Sequence, residues 1–436
     1  MIKKLLIANR GEIAYRIIRE CQSRRLDYVL IYTEQEKNDF TVRLAAKHTF
    51  CIGQGGTAPY CDIFTIMAVC DITGCDAIHP GYGFLSENAM LAKSCEEMGI
   101  TFVGPNSRCL SALGNKWKAK SLATHCGIPT LPGVLISKED SNHALDYLFE
   151  NKNTYWILKA VHGGGGKGCE RIDYHVDVNR VVNDHRRRSM QRFGCSDLML
   201  EQYLPRSKHV EIQVIRDVCG NTVVFPERDG SIQRSYQKII EESPSPLVSQ
   251  SLRRILQGYT KRLFKQLDYV GLATVEFLLD ETNNVYFIEV NPRLQVEHAL
   301  TESICGINLV QKQLDIAAGQ SVCFGDVLSV DKHSIEVRIY AEDTNKQYAP
   351  TAGQIKALQF PHGDGIRVET ALDTGDYVWP CFDGLIAKII ITDQNRIGAI
   401  TKLIDALDRV IIDGVTTNLD YLKSIVKHND FITSTM

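Results

Sequence analysis

At 436 residues the chain is long enough for two or three domains with ample buried core. Lysine plus arginine total 49 against 52 acidic residues, and the pI is near 6.5, so no strong field favours nucleic acid or an anionic membrane. Fourteen scattered cysteines without a Cys-x-x-Cys pair argue against a zinc ribbon or a disulfide scaffold, and no apolar stretch approaches bilayer length. The opening run Leu5-Leu6-Ile7-Ala8 stops at Asn9 and Arg10, too short for the apolar region of a signal peptide. With the thiols read as reduced, a soluble cytoplasmic protein is expected.

In chain order, residues 3–8 read as a buried strand, 10–23 as a helix with Ile13, Ile17, Ile18 and Cys21 on one face, and 27–32 as a second strand. That opening belongs to an open α/β sheet, and its turn lacks the glycine fingerprint of a nicotinamide dinucleotide site. The loop at 79–88, His-Pro-Gly-Tyr-Gly-Phe-Leu-Ser-Glu-Asn, follows a strand at 75–79 and reads equally as a functional loop or as a structural turn. A helical region at 107–126 contains Lys116. A strand at 154–160 ends near Lys159 and leads into His162-Gly163-Gly164-Gly165-Gly166-Lys167-Gly168. Strands are expected at 198–203, 209–215 and 222–225, a helix at 248–267, and paired strands at 272–279 and 285–291. From 333 to 391 the pattern reads as short strands and turns, with helices at 396–408 and 418–427.

Four consecutive glycines expose backbone N–H groups and suit a lid over polyphosphate, or else form a flexible hairpin tip. The loop is not a Walker A motif, because Val161 stands where the first glycine belongs and Gly168 follows the lysine. Glu289 and Asn291 leave one strand on the same face, and a turn centred between Thr282 and Asn283 would set Glu276 opposite Glu289. Facing carboxylates in apolar strands repel unless a cation sits between them, which suits magnesium or manganese; the alternative is an exposed sheet face. Arg293, Gln295 and Glu297 follow at alternate positions, adding a positive fork and a carboxylate base. The combination suggests metal-assisted chemistry on an anion. The mixed run 227–238 reads as a solvated loop, although Lys238 leads back into apolar sequence. Arg338 alternates with apolar residues as a salt-bridged strand arginine would, and His209 reads as a satisfied sheet histidine.

Together these strings, from Ile7-Ala8-Asn9-Arg10-Gly11-Glu12 through the 79–88 loop to Ile412-Asp413-Gly414-Val415-Thr416-Thr417-Asn418, closely resemble biotin carboxylase, the ATP-grasp component of biotin-dependent carboxylases. The resemblance covers essentially the whole chain. It implies an α/β protein with an N-terminal open parallel-sheet domain (1–113), a central ATP-grasp domain (114–317) with a mobile glycine-rich lid at about 131–203, and a C-terminal α+β closing domain (333–436). It further implies that Lys116, Lys159, Gly165 and Gly166 hold the ATP phosphates. Glu201-Gln202-Tyr203-Leu204 would meet the adenine, and His209 the ribose. Glu276, Glu289 and Asn291 would bind two Mg2+ or Mn2+ ions, and Lys238, Arg293, Gln295 and the backbone of Val296 would bind bicarbonate. Glu297 would be the general base, Arg338 would stabilise the biotin enolate, and Tyr82 would lie near the biotin pocket.

The implied reaction is ATP-dependent carboxylation of biotin through carboxyphosphate, the first half-reaction of acetyl-CoA carboxylase in fatty acid biosynthesis or of a related acyl-CoA or pyruvate carboxylase. No Met-Lys-Met biotinylation string precedes Met436, so a biotin carboxyl carrier protein and carboxyltransferase subunits are expected on separate polypeptides. Some positions depart from the family pattern. His162 stands where glycine is usual, and Tyr236 replaces the histidine of an Arg-His-Gln-Lys string. Ser23 and Asp364 replace residues used at some family dimer interfaces, which leaves a homodimer open. A degenerate, nucleotide-binding regulator and a different ATP-grasp ligase are the competing readings.

Overall fold

The computed structural model describes residues 2–137, 155–164, 166, 168–172, 178–322 and 331–434. Five parallel strands, β1 (Lys4–Ile7), β2 (Asp27–Tyr32), β3 (Thr49–Cys51), β4 (Ala77–His79) and β5 (Thr101–Phe102), form a sheet in the order β3-β2-β1-β4-β5. Their near-continuous apolar sequences fit a sheet covered on both faces. The order reverses at β1 and β4, so the loops leaving both strands meet at one crevice. There the Asn9 amide donates to the carbonyls of Pro80 and Tyr82 at 2.6 and 2.8 Å, tying the two loops together.

A second, antiparallel sheet contains β6 (Gly133–Ile136), β7 (Trp156–Ala160), β8 (Cys169–Ile172) and β9 (Leu198–Gln202) in the order β6-β9-β7-β8. Helix Val178–Phe193 packs on it through Val182, beside Trp156, Leu158 and Leu200. The glycine loop joins β7 to β8. Gly165 and Lys167 lie outside the described residues.

The largest sheet has eight strands. Those labelled here are β10 (Lys208–Arg216), β11 (Thr222–Arg234), β12 (Gln237–Ser243), β13 (Gly271–Leu279), β14 (Val285–Asn291) and β15 (His333–Tyr340). They run β14-β13-β10-β11-β12-β15 and continue into Leu385–Asp393 and Ile366–Thr370. Strict alternation organises the faces. Val210, Ile212, Val214, Val275, Phe277 and Phe287 pack with Leu256 and Phe264 of helix Gln250–Lys265 and with Ala119 and Ala123 of helix Lys116–His125. Each of these valine, isoleucine, leucine and phenylalanine side chains contributes about 1.5–3 kcal/mol by leaving water. The intervening positions, His209, Glu211, Gln213, Thr274 and Glu276, therefore share the opposite face.

Two expectations are corrected here. Residues 227–238 are not a solvated loop: they lie in the β11–β12 hairpin, with Glu227 and Arg228 fully buried. Alternation explains it, because Glu227 points to the Arg253 side while Arg228 points to Glu211, so each charge meets an opposite charge. The C-terminal region holds two long strands, His333–Tyr340 and Leu385–Asp393, besides short ones. β15 pairs with β12, so this region extends the central sheet rather than forming a separate layer.

Candidate active site

Glu276 of β13 is paired with Glu289 of β14, but by a different route from the one expected. The turn is centred on Thr282, with Leu279 opposite Val285, and an unpaired Ile288 shifts the register so that the two carboxylates face each other. Asn283 takes the left-handed backbone conformation that closes this turn.

The two acids have different partners. Lys116, first residue of helix Lys116–His125, pairs with Glu289. Glu276 accepts from Asn291 Nδ2 at 2.8 Å, Gln295 Nε2 at 3.1 Å and Lys238 Nζ at 3.2 Å. His209 stands with Nε2 at 2.7 Å from Glu276 Oε2, and its Nδ1 is 2.6 Å from the amide nitrogen of Gln233. That amide donates to Nδ1, which leaves the ring proton on Nε2, facing the carboxylate. The donor set of Glu276, Glu289 and the Asn291 amide oxygen is hard and oxygen-based, and so fits Mg2+ or Mn2+. His209, Glu211 and Glu276 also bring one ligand atom each within 4.8 Å of one another.

Beside this acidic face lies Glu297, buried at the head of helix His298–Cys305. Its Oε1 accepts from Lys238 Nζ at 2.8 Å and its Oε2 from Arg338 Nη2 at 2.9 Å. Burial alone would raise this carboxyl's pKa, but Lys238, Arg338 and Arg228 outweigh it and hold Glu297 well below the ordinary range. Lys238 also pairs with Glu211, and these carboxylates raise its own pKa against the effect of burial. Gly230 makes room for it: a Cβ there would sit 2.9 Å from Lys238 Cδ.

Arg228, wholly buried, braces the floor. It pairs with Glu211 and donates to Gln213 Oε1 (3.0 Å), Thr301 Oγ1 (2.7 Å), Thr274 Oγ1 (3.3 Å) and Gln295 Oε1 (2.7 Å). Gln295 is thereby locked with its amide nitrogen toward Glu276. Arg293 is aimed by Glu87, accepting from its Nε at 2.7 Å, and by Asn291 Oδ1 at 3.1 Å. Glu87 comes from the 79–88 loop, so the α/β sheet reaches the site directly.

A second tie runs through Glu12. It accepts from the Tyr82 hydroxyl and lies 2.9 Å from Lys388 Nζ, which also donates to the Val296 carbonyl at 2.7 Å. On the other side, Glu201 of β9 receives Lys120 at 2.6 Å and Lys159 at 2.5 Å. Burial raises the Glu201 pKa, yet the two ammonium groups together bring it below the ordinary value. Gln202 ends that strand, and Tyr203 and Leu204 follow it. Gly166 adopts φ +71°, and a Cβ there would lie 2.5 Å from the Tyr236 carbonyl oxygen, so Gly166 rests against the β11–β12 turn. His162, the other departure from the family pattern, is 3.4 Å from the Asn115 amide nitrogen.

The structure thus links Glu276, Glu289, Asn291, Arg293, Gln295, Val296, Glu297, Lys238, Arg338, His209, Lys116 and Tyr82 through one network of polar contacts, with Lys159 and Glu201 on the β6–β9 sheet. Sequence reasoning missed Glu211, Arg228, Lys120, Glu87 and Lys388. Alternation could have found Glu211, since Glu211 and Gln213 flank Ile212 on a strand whose other face is apolar. Nothing local pointed to Lys388, a lone lysine in an isoleucine-rich strand.

Comparisons with known proteins agree with this geometry. Residues 1–110 match the family described as biotin carboxylase, N-terminal domain, residues 115–323 the carbamoyl-phosphate synthase L chain, ATP binding domain, and residues 336–436 the biotin carboxylase C-terminal domain. A biotin carboxylase of Halalkalibacterium halodurans is 40% identical over 99% of this chain and 95% of its own length. The biotin carboxylase domain dimer of Hydrogenobacter thermophilus 2-oxoglutarate carboxylase, solved with MgADP, ADP and bicarbonate, superposes with a TM-score of 0.95 at 39% identity, over 99% of this chain and 95% of that one. A Campylobacter jejuni biotin carboxylase in complex with β,γ-ATP gives 0.94 at 35% identity, over 100% and 97%. The chain belongs to the biotin carboxylase family of ATP-grasp ligases, which use ATP, Mg2+ and bicarbonate to carboxylate biotin on a carrier protein. Its reaction is ATP-dependent biotin carboxylation.

Proposed function

We propose that this chain supplies the first half-reaction of a biotin-dependent carboxylase, acting on biotin attached to a carrier protein, with Glu297 as the catalytic base. The supporting observation is the clamp on Glu297: one oxygen on Lys238, the other on Arg338, with Arg293, Gln295 and Val296 beside it. Bicarbonate binds between Lys238, Arg293, Gln295 and the Val296 backbone, displacing part of that clamp. Glu297 removes its proton, and the resulting oxygen attacks the γ-phosphate of ATP.

Lys116, Lys159, Gly165 and Gly166 hold the phosphates, while Glu201, Gln202, Tyr203 and Leu204 line the adenine and His209 the ribose. Glu276, Glu289 and Asn291 hold two Mg2+ or Mn2+ ions, which neutralise charge on the transferring phosphoryl group. Closure of the glycine lid keeps water from carboxyphosphate. Its collapse to CO2 and phosphate provides the base for the biotin ureido nitrogen. Arg338, always protonated, answers the oxyanion that forms, with Tyr82 bordering the same pocket.

Its partners are a biotin carboxyl carrier protein and a carboxyltransferase, and the final acceptor is acetyl-CoA, another acyl-CoA or pyruvate. A homodimer is part of the reading because the Hydrogenobacter domain is a dimer. A cytoplasmic setting is supported by thirteen free cysteines among the described residues, and none of their helices is long and apolar enough to cross a membrane. The test is ATP cleavage by the purified chain with bicarbonate and Mg2+. A rate that needs both and rises with free biotin supports the assignment. Nucleotide binding without turnover would replace it with a regulatory role, to which Tyr236 and His162 would then be assigned.

A further inference from the structure

Glu241 of β12 and Glu336 of β15 stand directly opposite each other, so both carboxyls lie on the face that carries Arg338. Both are buried, Glu241 with 1% and Glu336 with 0% of its surface exposed. Glu241 pairs through Oε1 with Arg338, but its Oε2 has no hydrogen-bond partner, and neither oxygen of Glu336 has one. Three orphaned carboxyl oxygens in so dry a place are costly.

The surroundings do not supply charge for two anions. Lys238 faces the pair from β12, Arg338 and Tyr340 from β15, Lys388 from Leu385–Asp393, Glu297 from the head of helix His298–Cys305, and Arg228, already paired with Glu211, from β11. Arg338 is shared between Glu241 and Glu297, Lys388 is taken by Glu12 and the Val296 carbonyl, and Lys238 by Glu211, Glu276 and Glu297. Two like charges on adjacent strands without a cation of their own cannot both persist.

We propose that Glu241 and Glu336 are a one-proton acid pair, with neutral Glu336 donating to the free oxygen of Glu241, that positions Arg338 and sets how much of its charge reaches the biotin oxyanion. The inference rests on the assignment of Arg338 to biotin given above. A single proton satisfies orphans on both residues. It also weakens the hold of Glu241 on the guanidinium. When Glu297 takes the bicarbonate proton, its own hold on Arg338 lapses too, and the guanidinium is released toward the oxyanion as that charge develops. Loss of the pair's proton restores a full carboxylate against Arg338 and withdraws that charge. Burial followed by Glu241 lifts Glu336 well above the ordinary carboxyl range, and burial lifts Glu241 to about 7, the directions a shared proton requires. Both glutamates are positioning residues, since neither is offered to substrate.

The test is the pH profile of kcat/KM for free biotin, with biotin-independent, bicarbonate-dependent ATP cleavage as the control. The wild-type profile should fall on the alkaline side as one proton is lost. Glu336→Gln keeps a donor that cannot ionise, so its limb should move up by about one pH unit or more. Glu241→Gln removes the like charge, lets Glu336 ionise sooner, and should move the limb down. A purely structural role would not shift the two variants in opposite directions, and the control profile should stay in place. Either variant decides alone if the other fails to fold: an alkaline limb that coincides with the wild-type one overturns the acid pair. Absence of biotin-dependent turnover in the wild type would instead overturn the assignment of Arg338, and this inference with it.

Discussion

Lys388 donates to the main-chain carbonyl of Val296 at 2.7 Å from a position with none of its surface exposed. The lysine belongs to the C-terminal part of the large sheet, and Val296 lies between Gln295 and Glu297, so the 295–297 turn is fastened from behind. The same ammonium is 2.9 Å from Glu12 Oε1, at the start of the α/β region. One buried charge therefore joins three stretches of chain that are far apart in sequence.

Lys388→Met should be destabilising by about 3–5 kcal/mol, because it leaves Glu12 charged and buried without its cation. Urea unfolding read by fluorescence checks the stability. Biotin-dependent ATP cleavage should fall more than the stability loss explains, as the 295–297 turn loosens. A variant with an unchanged midpoint would show that Glu12 has another partner.

Glu297→Gln keeps the shape of the clamp and removes the base. Bicarbonate-dependent ATP cleavage is expected to drop by about 10²–10⁴-fold, with nucleotide affinity nearly unchanged. Because Lys238 and Arg338 hold this carboxyl below its ordinary pKa, Glu297 is ionised throughout the neutral range. Its protonation should therefore set no acidic limb above about pH 5 in the free enzyme. Full activity in the amide variant would remove Glu297 from the mechanism.

At Gly166 the positive φ and the nearby Tyr236 carbonyl both oppose a side chain. Gly166→Ala should cost about 1–2 kcal/mol of backbone strain in this conformation, or roughly tenfold in KM for ATP, while the thermal midpoint hardly moves. An unchanged KM would mean that the loop does not close on ATP in this conformation.

Glu201 gives a pH signature. Its folded-state pKa is depressed, so its contribution is present above the unfolded carboxyl's value of about 4.3 and is lost as pH falls through the folded one. Urea midpoints between neutral and acidic pH should decline less steeply in Glu201→Gln than in the wild type. The variant should also be weaker at neutral pH, where Lys120 and Lys159 lose their shared anion. Parallel declines would place the acid sensitivity elsewhere.

Much of the site was legible because strands impose a period of two. Glu289 and Asn291 could be read as one face before any contact was known, whereas Arg293, Gln295 and Glu297 lie beyond the strand's end and are brought in by the turn that follows it. The Glu276–Glu289 pairing was also legible, although the Ile288 bulge that produces it was not, since an extra residue leaves no mark in an apolar run. The run 227–238 was misread because density of charge usually means solvent. Here the charges alternate between two faces, one supplied with counter-charge by neighbouring strands and the other by Arg253 of helix Gln250–Lys265.

The sequence by itself determined the α/β opening, the paired carboxylate strands, the glycine loop and the run that sets Glu297 close to Arg293. These depend on near neighbours and on residue chemistry. Only the tertiary structure decided that Lys238 and Arg338 grip the same carboxylate, that Glu87 aims Arg293, and that Glu241 meets Glu336. Such contacts join residues far apart along the chain, and their partners are chosen by strand order and burial, which local pattern does not encode.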